Sequence, residues 1–170
     1  GSKTTHLAAL ANDDAEILAV DRSEKRLKIL QSNLKRLNIK SVKTMKADAT
    51  SLIDIKPNLV SYFDKILIDA PCSGIGTFAR NPDSRWSLSK DKINQLILLQ
   101  EKLLERIFPL LKSNGILVYS TCTICPEENN LLIKRFLSKN KEIKLDSERQ
   151  ILPRFDQSGD GFYAAKISYK

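Results

Sequence analysis

The chain has 170 residues, 42% of them hydrophobic and 28% charged, which suits one globular domain spanning residues 1–170 and excludes a low-complexity or fibrous chain. No apolar run approaches the ~20 residues of a membrane-spanning helix, and no secretory signal is visible. The net charge of +8, from 28 Lys and Arg against 20 Asp and Glu, favours a polyanionic partner such as nucleic acid, although lysines on solvated helix faces would give the same excess.

In chain order, residues 3–10 read as a helix and residues 16–20 as a short strand ending in Asp21. Ser23 is placed to cap the next helix, whose apolar face is Leu27, Leu30, Leu34 and Leu37. Residues 41–45 read as a strand followed by Asp48, and residues 51–61 are weakly patterned and broken by Pro57. Ile66, Leu67 and Ile68 form a continuous apolar run, expected where both faces of a parallel sheet are covered. That strand ends in Asp69 and meets Pro71, which cannot extend it, and then Cys72.

Residues 74–90 make a polar loop with a lone Trp86, longer than a usual connection and therefore a candidate functional loop. Residues 91–111 predict a long amphipathic helix strained by Pro109 and stopped at Asn114-Gly115. A strand over 116–120 leads into Cys122. Pro126 then opens a helix to about residue 137, with Glu127 and Glu128 in its first turn. Residues 141–145 predict a strand, 146–161 a loop and 162–169 a final strand. Alternation of this kind indicates a parallel α/β sheet, and the closing pair of strands an antiparallel member near one edge.

Two sets of residues carry chemistry. Asp21, Asp48 and Asp69 each follow a strand, so a doubly wound sheet would gather them at the edge where ligands bind, though turn or cap chemistry is the common use of a strand-end aspartate. Gly1-Ser-Lys-Thr-Thr-His6 looks like the end of a glycine-rich turn entering a helix, a place for an anionic group, and matches only the tail of a phosphate-binding loop. Cys72 and Cys122 each lie just past a strand. Three cysteines make no disulfide framework, so reduced thiols in a cytoplasmic protein are expected. Cys122 and Cys125 form a C-x-x-C before a helix, the context of a thiol redox pair, and metal binding is not expected because a fourth ligand is lacking. Cys122 is also a plausible nucleophile if the helix start stabilises its thiolate.

Taken together, Gly1-Ser-Lys-Thr-Thr-His6, Ala19-Val-Asp21, Ala47-Asp48, Asp69-Ala-Pro-Cys-Ser-Gly74, Arg80-Asn-Pro-Asp83 with Arg85-Trp86, Tyr119-Ser-Thr-Cys-Thr123 with Pro126-Glu-Glu-Asn129, and Asp160-Gly-Phe162 make the chain resemble the catalytic domain of the RsmB-like (Sun/Fmu) RNA cytosine-5 methyltransferases. The resemblance runs from Gly1 to the last strand. It implies a Rossmann-like methyltransferase fold that uses S-adenosylmethionine, acting on RNA, with ribosomal RNA favoured over transfer RNA, as a monomer without membrane or metal. It implies Cys122 as the nucleophile on cytosine carbon 6, Cys72 as the residue that assists release, and Asp69 beside the cytosine ring and the methyl donor. Asp21 would hold the ribose, Asp48 the adenine edge, and Gly1, Ser2 and Lys3 the cofactor turn. Arg80, Arg85 and Trp86 would grip and stack on the RNA strand once the target base has left its stack.

Two departures stand out. The family motif starts with a strand and an alanine-proline-glycine turn ahead of Gly1, and these are absent here. The sheet is therefore expected either to carry a gap or to pair its neighbouring strands directly, and this piece to bind cofactor poorly. Thr123 stands where the family often has serine, with little effect expected. The competing readings are a redox module on Cys122 and Cys125, a P-loop hydrolase, and a fragment that binds RNA without catalysis.

Overall fold

The chain is described by a computed structural model that covers residues 1–153 and 159–170, and it divides into two compact units, Gly1–Ile55 and Lys56–Lys170. The first unit holds α1 (Ser2–Leu10), β1 (Ile17–Asp21), α2 (Glu24–Arg36), β2 (Val42–Lys46) and a short α3 (Leu52–Ile55). β1 and β2 pair in parallel from Ile17 opposite Val42 to Asp21 opposite Lys46. α2 starts where expected: the Ser23 hydroxyl accepts the Arg26 amide at 3.3 Å. Leu27, Leu30 and Leu34 are buried, but Leu37 is the C-cap residue and is 46% exposed, because the helix ends one residue before it. The Asp13 carboxylate accepts the Lys40 and Ser41 amides at 2.9 Å each, tying the turn after α1 to the start of β2.

The second unit is built on β3 (Phe63–Asp69), α4 (Lys90–Ile107), β4 (Leu111–Thr121), α5 (Asn130–Lys139), β5 (Ile143–Ile151) and β6 (Phe162–Tyr169). Its sheet runs in the order β3-β4-β6-β5. β3 and β4 are parallel, and β6 is antiparallel to both β4 and β5. The expected reversed strand is thus present, next to one edge. β1 and β3 belong to different sheets, so direct pairing of these neighbours, one of the two expected arrangements, is not made.

The core follows from period-2 burial. Leu117 and Tyr119 on β4 and Tyr163, Ala165 and Ile167 on β6 are at most 1% exposed. Leu104 of α4 and Leu132 and Ile133 of α5 are fully buried as well. Each such side chain contributes about 2 kcal/mol from the area it removes from water. The rings of Tyr119 and Tyr163 meet edge to face at 6.5 Å, and Phe108 lies edge to face with both Phe136 and Tyr169.

Four expectations are corrected here. Leu67 is 37% exposed while Ile68 is 5%, so β3, an edge strand of its sheet, is not covered on both faces. The long helix stops at Ile107, because Pro109 cannot donate to it; a 3-10 turn over Phe108–Leu110 follows, and Leu111 is already in β4. Asn114 and Gly115 therefore lie inside a strand, at a bulge where the register moves from Phe63 opposite Leu111 to Lys65 opposite Ile116. A β-carbon on Gly115 would fall 3.0 Å from the Asp64 carbonyl oxygen, so the glycine permits that close approach. The fourth concerns residues 146–161. β5 continues to Ile151 and pairs with β6 to Phe162, and its Lys144, Glu148 and Arg149 are the charges of an exposed edge strand rather than of a loop. The part of that expectation on residues 154–158 lies outside the described residues.

Candidate active site

β3 and β4 are neighbours in register, Asp69 opposite Ser120, and the pairing runs one step further as the Ala70 amide donates to the Ser120 carbonyl at 2.9 Å. The two strands therefore release their chains side by side. Three residues past Asp69 comes Cys72, and two past Ser120 comes Cys122. Their sulfurs are 3.4 Å apart, neither is in a disulfide, and both cysteines are half-buried. The Cys122 sulfur against it, and then burial, push the Cys72 thiol far above its ordinary pKa. Cys72 thus keeps its proton, with its sulfur against that of Cys122. Asp69, at the end of β3, is exposed.

Glycine brings a third segment against this pair. Gly74 adopts φ 69°, which turns the chain after Ser73 into a 3-10 helix, Ile75–Thr77. The Gly76 amide then donates to the Cys122 carbonyl at 3.2 Å, and the Gly161 amide to the Gly76 carbonyl at 2.7 Å. Three backbones are stacked at the peptide of Cys122.

A buried polar cluster lies behind the two cysteines, and the sequence reading missed it. Glu128, expected to serve the helix dipole, is 0% exposed. Its carboxylate accepts the Ser73 amide and the Gln100 side-chain amide at 2.9 Å each, together with a short bond from the Ser73 hydroxyl. Gln100 also donates to the Pro71 carbonyl at 2.8 Å. Asn129 accepts the Thr121 hydroxyl at 2.7 Å and donates to the Thr123 carbonyl at 3.0 Å. One signal was available: Gln100 occupies the apolar register of α4, between Ile97 and Leu104, where a polar side chain needs a buried partner.

Cys125 stands apart. Its thiol donates to the Glu127 carboxylate at 3.0 Å, whereas the sulfur beside Cys122 is that of Cys72. Burial, and then the bond to Glu127, push the Cys125 thiol up to about 11. Since only the thiolate is alkylated, Cys125 should react with iodoacetamide at pH 8 roughly 100-fold more slowly than an ordinary cysteine. Its rate should climb with pH until about pH 11, as mass spectrometry of the labelled peptide would show. A rate equal to that of free cysteine at pH 8 would contradict the burial and the bond. Among the described residues no group of three or more His, Cys, Asp or Glu is placed to hold a metal ion. No described helix is long and apolar enough to cross a membrane.

The loop residues expected to meet RNA are on the surface. Trp86 is 83% exposed, so core packing does not account for it. The Arg85 guanidinium lies 6.0 Å from the Trp86 ring centroid and donates to the Pro82 carbonyl at 3.0 Å. Arg80 is paired with Asp160 at 2.5 Å, an exposed ion pair that ties this loop to the chain ahead of Gly161.

In the first unit, Asp21 and Asp48 share the carboxyl edge of β1 and β2. Both also do turn chemistry. Asp21 accepts the Ser23 amide at 2.7 Å, and Asp48 accepts the Thr50 amide and hydroxyl at 2.8 Å each. Gly1 is the N-cap of α1, with Ser2 and Lys3 its first helical residues. The Gly1 carbonyl accepts the Thr5 amide, and a β-carbon there would strike Leu30 at 2.7 Å. Amides at such a helix start have no partner within the helix.

Parallel strands alternating with helices, one reversed strand beside the edge, and acids at the strand ends make this the Rossmann-like fold of the S-adenosylmethionine-dependent methyltransferases. Solved structures agree. PH0851 superposes with a TM-score of 0.92 at 38% identity, over 99% of this chain and 40% of its own. NSun6 from Pyrococcus horikoshii, crystallised with SFG, gives 0.87 at 32% identity over 99% and 45%. The ribosomal RNA small subunit methyltransferase B of Proteus mirabilis is 42% identical over 171 residues, all of this chain but 39% of that protein. The family model described as 16S rRNA methyltransferase RsmB/F matches residues 1–168, and the chain belongs to that family. It spans about 40% of the length of the curated relatives it matches, as in the Proteus protein, where the share is 39%.

Proposed function

We propose that the intact protein methylates carbon 5 of a cytosine in RNA, with S-adenosylmethionine as donor and 16S ribosomal RNA as the substrate class. The observation that carries this is the pair of sulfurs 3.4 Å apart at the ends of β3 and β4. A family of ribosomal RNA methyltransferases and a relative crystallised with SFG, an analogue of S-adenosylmethionine, support the substrate and the donor. The chain's own residues fit a nucleoside-bearing cofactor: Asp21 and Asp48 put two carboxylates on one strand edge, acceptors for hydroxyl and amino hydrogens. Gly1, Ser2 and Lys3 would line its turn.

The bound cofactor supplies a methyl cation equivalent. The Cys122 thiolate adds to carbon 6 of the cytosine, and the electron pair of the 5,6 double bond moves to carbon 5, which takes the methyl group. Asp69 holds the polar edge of the ring as charge builds there. The carbon 5 hydrogen then leaves as a proton to solvent water, its bonding pair re-forms the double bond, and the bond from carbon 6 to sulfur breaks, its pair staying on the sulfur. Cys122 departs as the thiolate, and the Cys72 thiol 3.4 Å away would assist by hydrogen-bonding to the departing sulfur. Arg80, Arg85 and Trp86 contact the RNA strand, and Trp86 provides a stacking face for an unpaired base. The protein acts as a monomer in the cytoplasm.

The test is trapping. The intact Cys72→Ala protein, given RNA and S-adenosylmethionine, should accumulate a covalent protein–RNA complex that survives SDS, and Cys72→Ala with Cys122→Ala should not. If no complex forms, or if it forms without Cys122, the proposed chemistry is wrong.

A further inference from the structure

Two consecutive buried residues grip the two cysteine loops from behind. Asn129 bonds to Thr121 and Thr123, the neighbours of Cys122 on either side. Glu128 takes both donors of Ser73, next to Cys72, while Gln100 joins Glu128 to the Pro71 carbonyl on the other side of Cys72. The spacing of the two sulfurs is therefore referred to one dipeptide. The Tyr119 hydroxyl pins that dipeptide by donating to the Glu128 carbonyl at 2.9 Å.

The proton directions in this cluster are fixed. The Ser73 hydroxyl has one proton, and it goes to the Glu128 carboxylate. Thr123, whose oxygen is 2.8 Å from that of Ser73, must then be the donor to it. Thr123 in turn accepts the Cys125 amide at 3.2 Å. The chain runs one way: Cys125 amide, Thr123 hydroxyl, Ser73 hydroxyl, Glu128 carboxylate. It links the residue after Cys122 to the residue after Cys72, and each bond polarises the next. Only an acceptor at the Glu128 end gives it this direction.

We infer that Glu128 is a positioning residue which, by terminating this chain, holds the Cys72 sulfur against the Cys122 sulfur. The inference deepens the function proposed above and rests on it for its catalytic consequence, though the placement of the sulfurs is tested without it. Glu128→Gln is nearly isosteric. Its oxygen is needed where the Ser73 and Gln100 amides donate, so its new amide faces the Ser73 oxygen and meets a hydroxyl that was itself a donor. Ser73 and Thr123 must both turn, and the hydroxyl chain that ties the Cys72 loop to the Cys122 loop loses its terminal acceptor.

The experiment uses the intact protein and diamide. Two thiols become a disulfide by giving two hydrogens to the diamide nitrogen–nitrogen double bond, which is reduced to a hydrazine. The Cys72–Cys122 disulfide is quantified by peptide mass, as a ratio to single alkylation of Cys122. In the parent it should form readily. In Glu128→Gln, and to a lesser degree in Ser73→Ala, the ratio should fall at least tenfold with unchanged near-UV circular dichroism. A residue that only stabilised the fold would lower the unfolding midpoint and leave the ratio alone. If either folded variant keeps the parental ratio, the inference is overturned. As the second reading, Glu128→Gln should accumulate the covalent RNA complex as Cys72→Ala does. Absence of that complex in Cys72→Ala itself would defeat the proposed chemistry, and the disulfide ratio would still decide the role of Glu128.

Discussion

Cys122→Ala in the intact protein is expected to lower methyl transfer to RNA by at least roughly 10^4-fold, the scale on which removing a covalent nucleophile acts. The substitution removes the only atom proposed to make carbon 5 of cytosine electron-rich, and nothing beside it can substitute. The Cys72 sulfur is 3.4 Å away but is held as the thiol, and the thiolate is the nucleophile. Folding should be nearly unaffected, since Cys122 is half-buried and alanine fits its place. Tritium transfer from labelled S-adenosylmethionine to RNA measures it. Transfer at more than a few percent of the parental rate would remove Cys122 from the reaction and leave the carbon 5 assignment without its nucleophile.

The second large effect is on the backbone that carries Cys122. A β-carbon on Gly76 would lie 2.6 Å from the Gly161 carbonyl oxygen and 2.8 Å from the Cys122 carbonyl oxygen. Both are main-chain atoms, so no side-chain rotation relieves the overlap. Gly76→Ala should therefore destabilise the protein by about 3 kcal/mol, in the range of overpacked sites, and shift the peptide of Cys122. Gly159→Ala is the control, because no atom of the described residues lies within 4 Å of its added carbon. It should stay within about 0.5 kcal/mol of the parent. Urea unfolding of the two variants compares them, and equal midpoints would show that the three backbones are not closely stacked.

How much of this was legible beforehand differs from element to element. The helix after Ser23 and the strand 162–169 were readable because the cap and the alternation are local signals. The end of α4 was misplaced because Leu111 continues the apolar spacing of the helix, although Pro109 has already ended it. β5 looked like a loop because an edge strand keeps its charges outward and shows no apolar alternation. Trp86 was balanced between core and surface, and only its 83% exposure separates the two.

The site divides in the same manner. Asp69, Cys72 and Cys122 could be found from the chain alone, since each lies at or just past the end of an apolar run, and the strand period fixes where such an end falls. That the two sulfurs meet depends on the register of β3 against β4, a pairing of residues some fifty positions apart that no local pattern encodes. Glu128 is the sharpest case. As a letter after Pro126 it is an ordinary helix-start acid, and only burial against Ser73 and Gln100, brought in from two other elements, turns it into the acceptor that anchors the Cys72 loop. Short-range periodicity thus determined which residues end the strands, and long-range packing decided which of them touch.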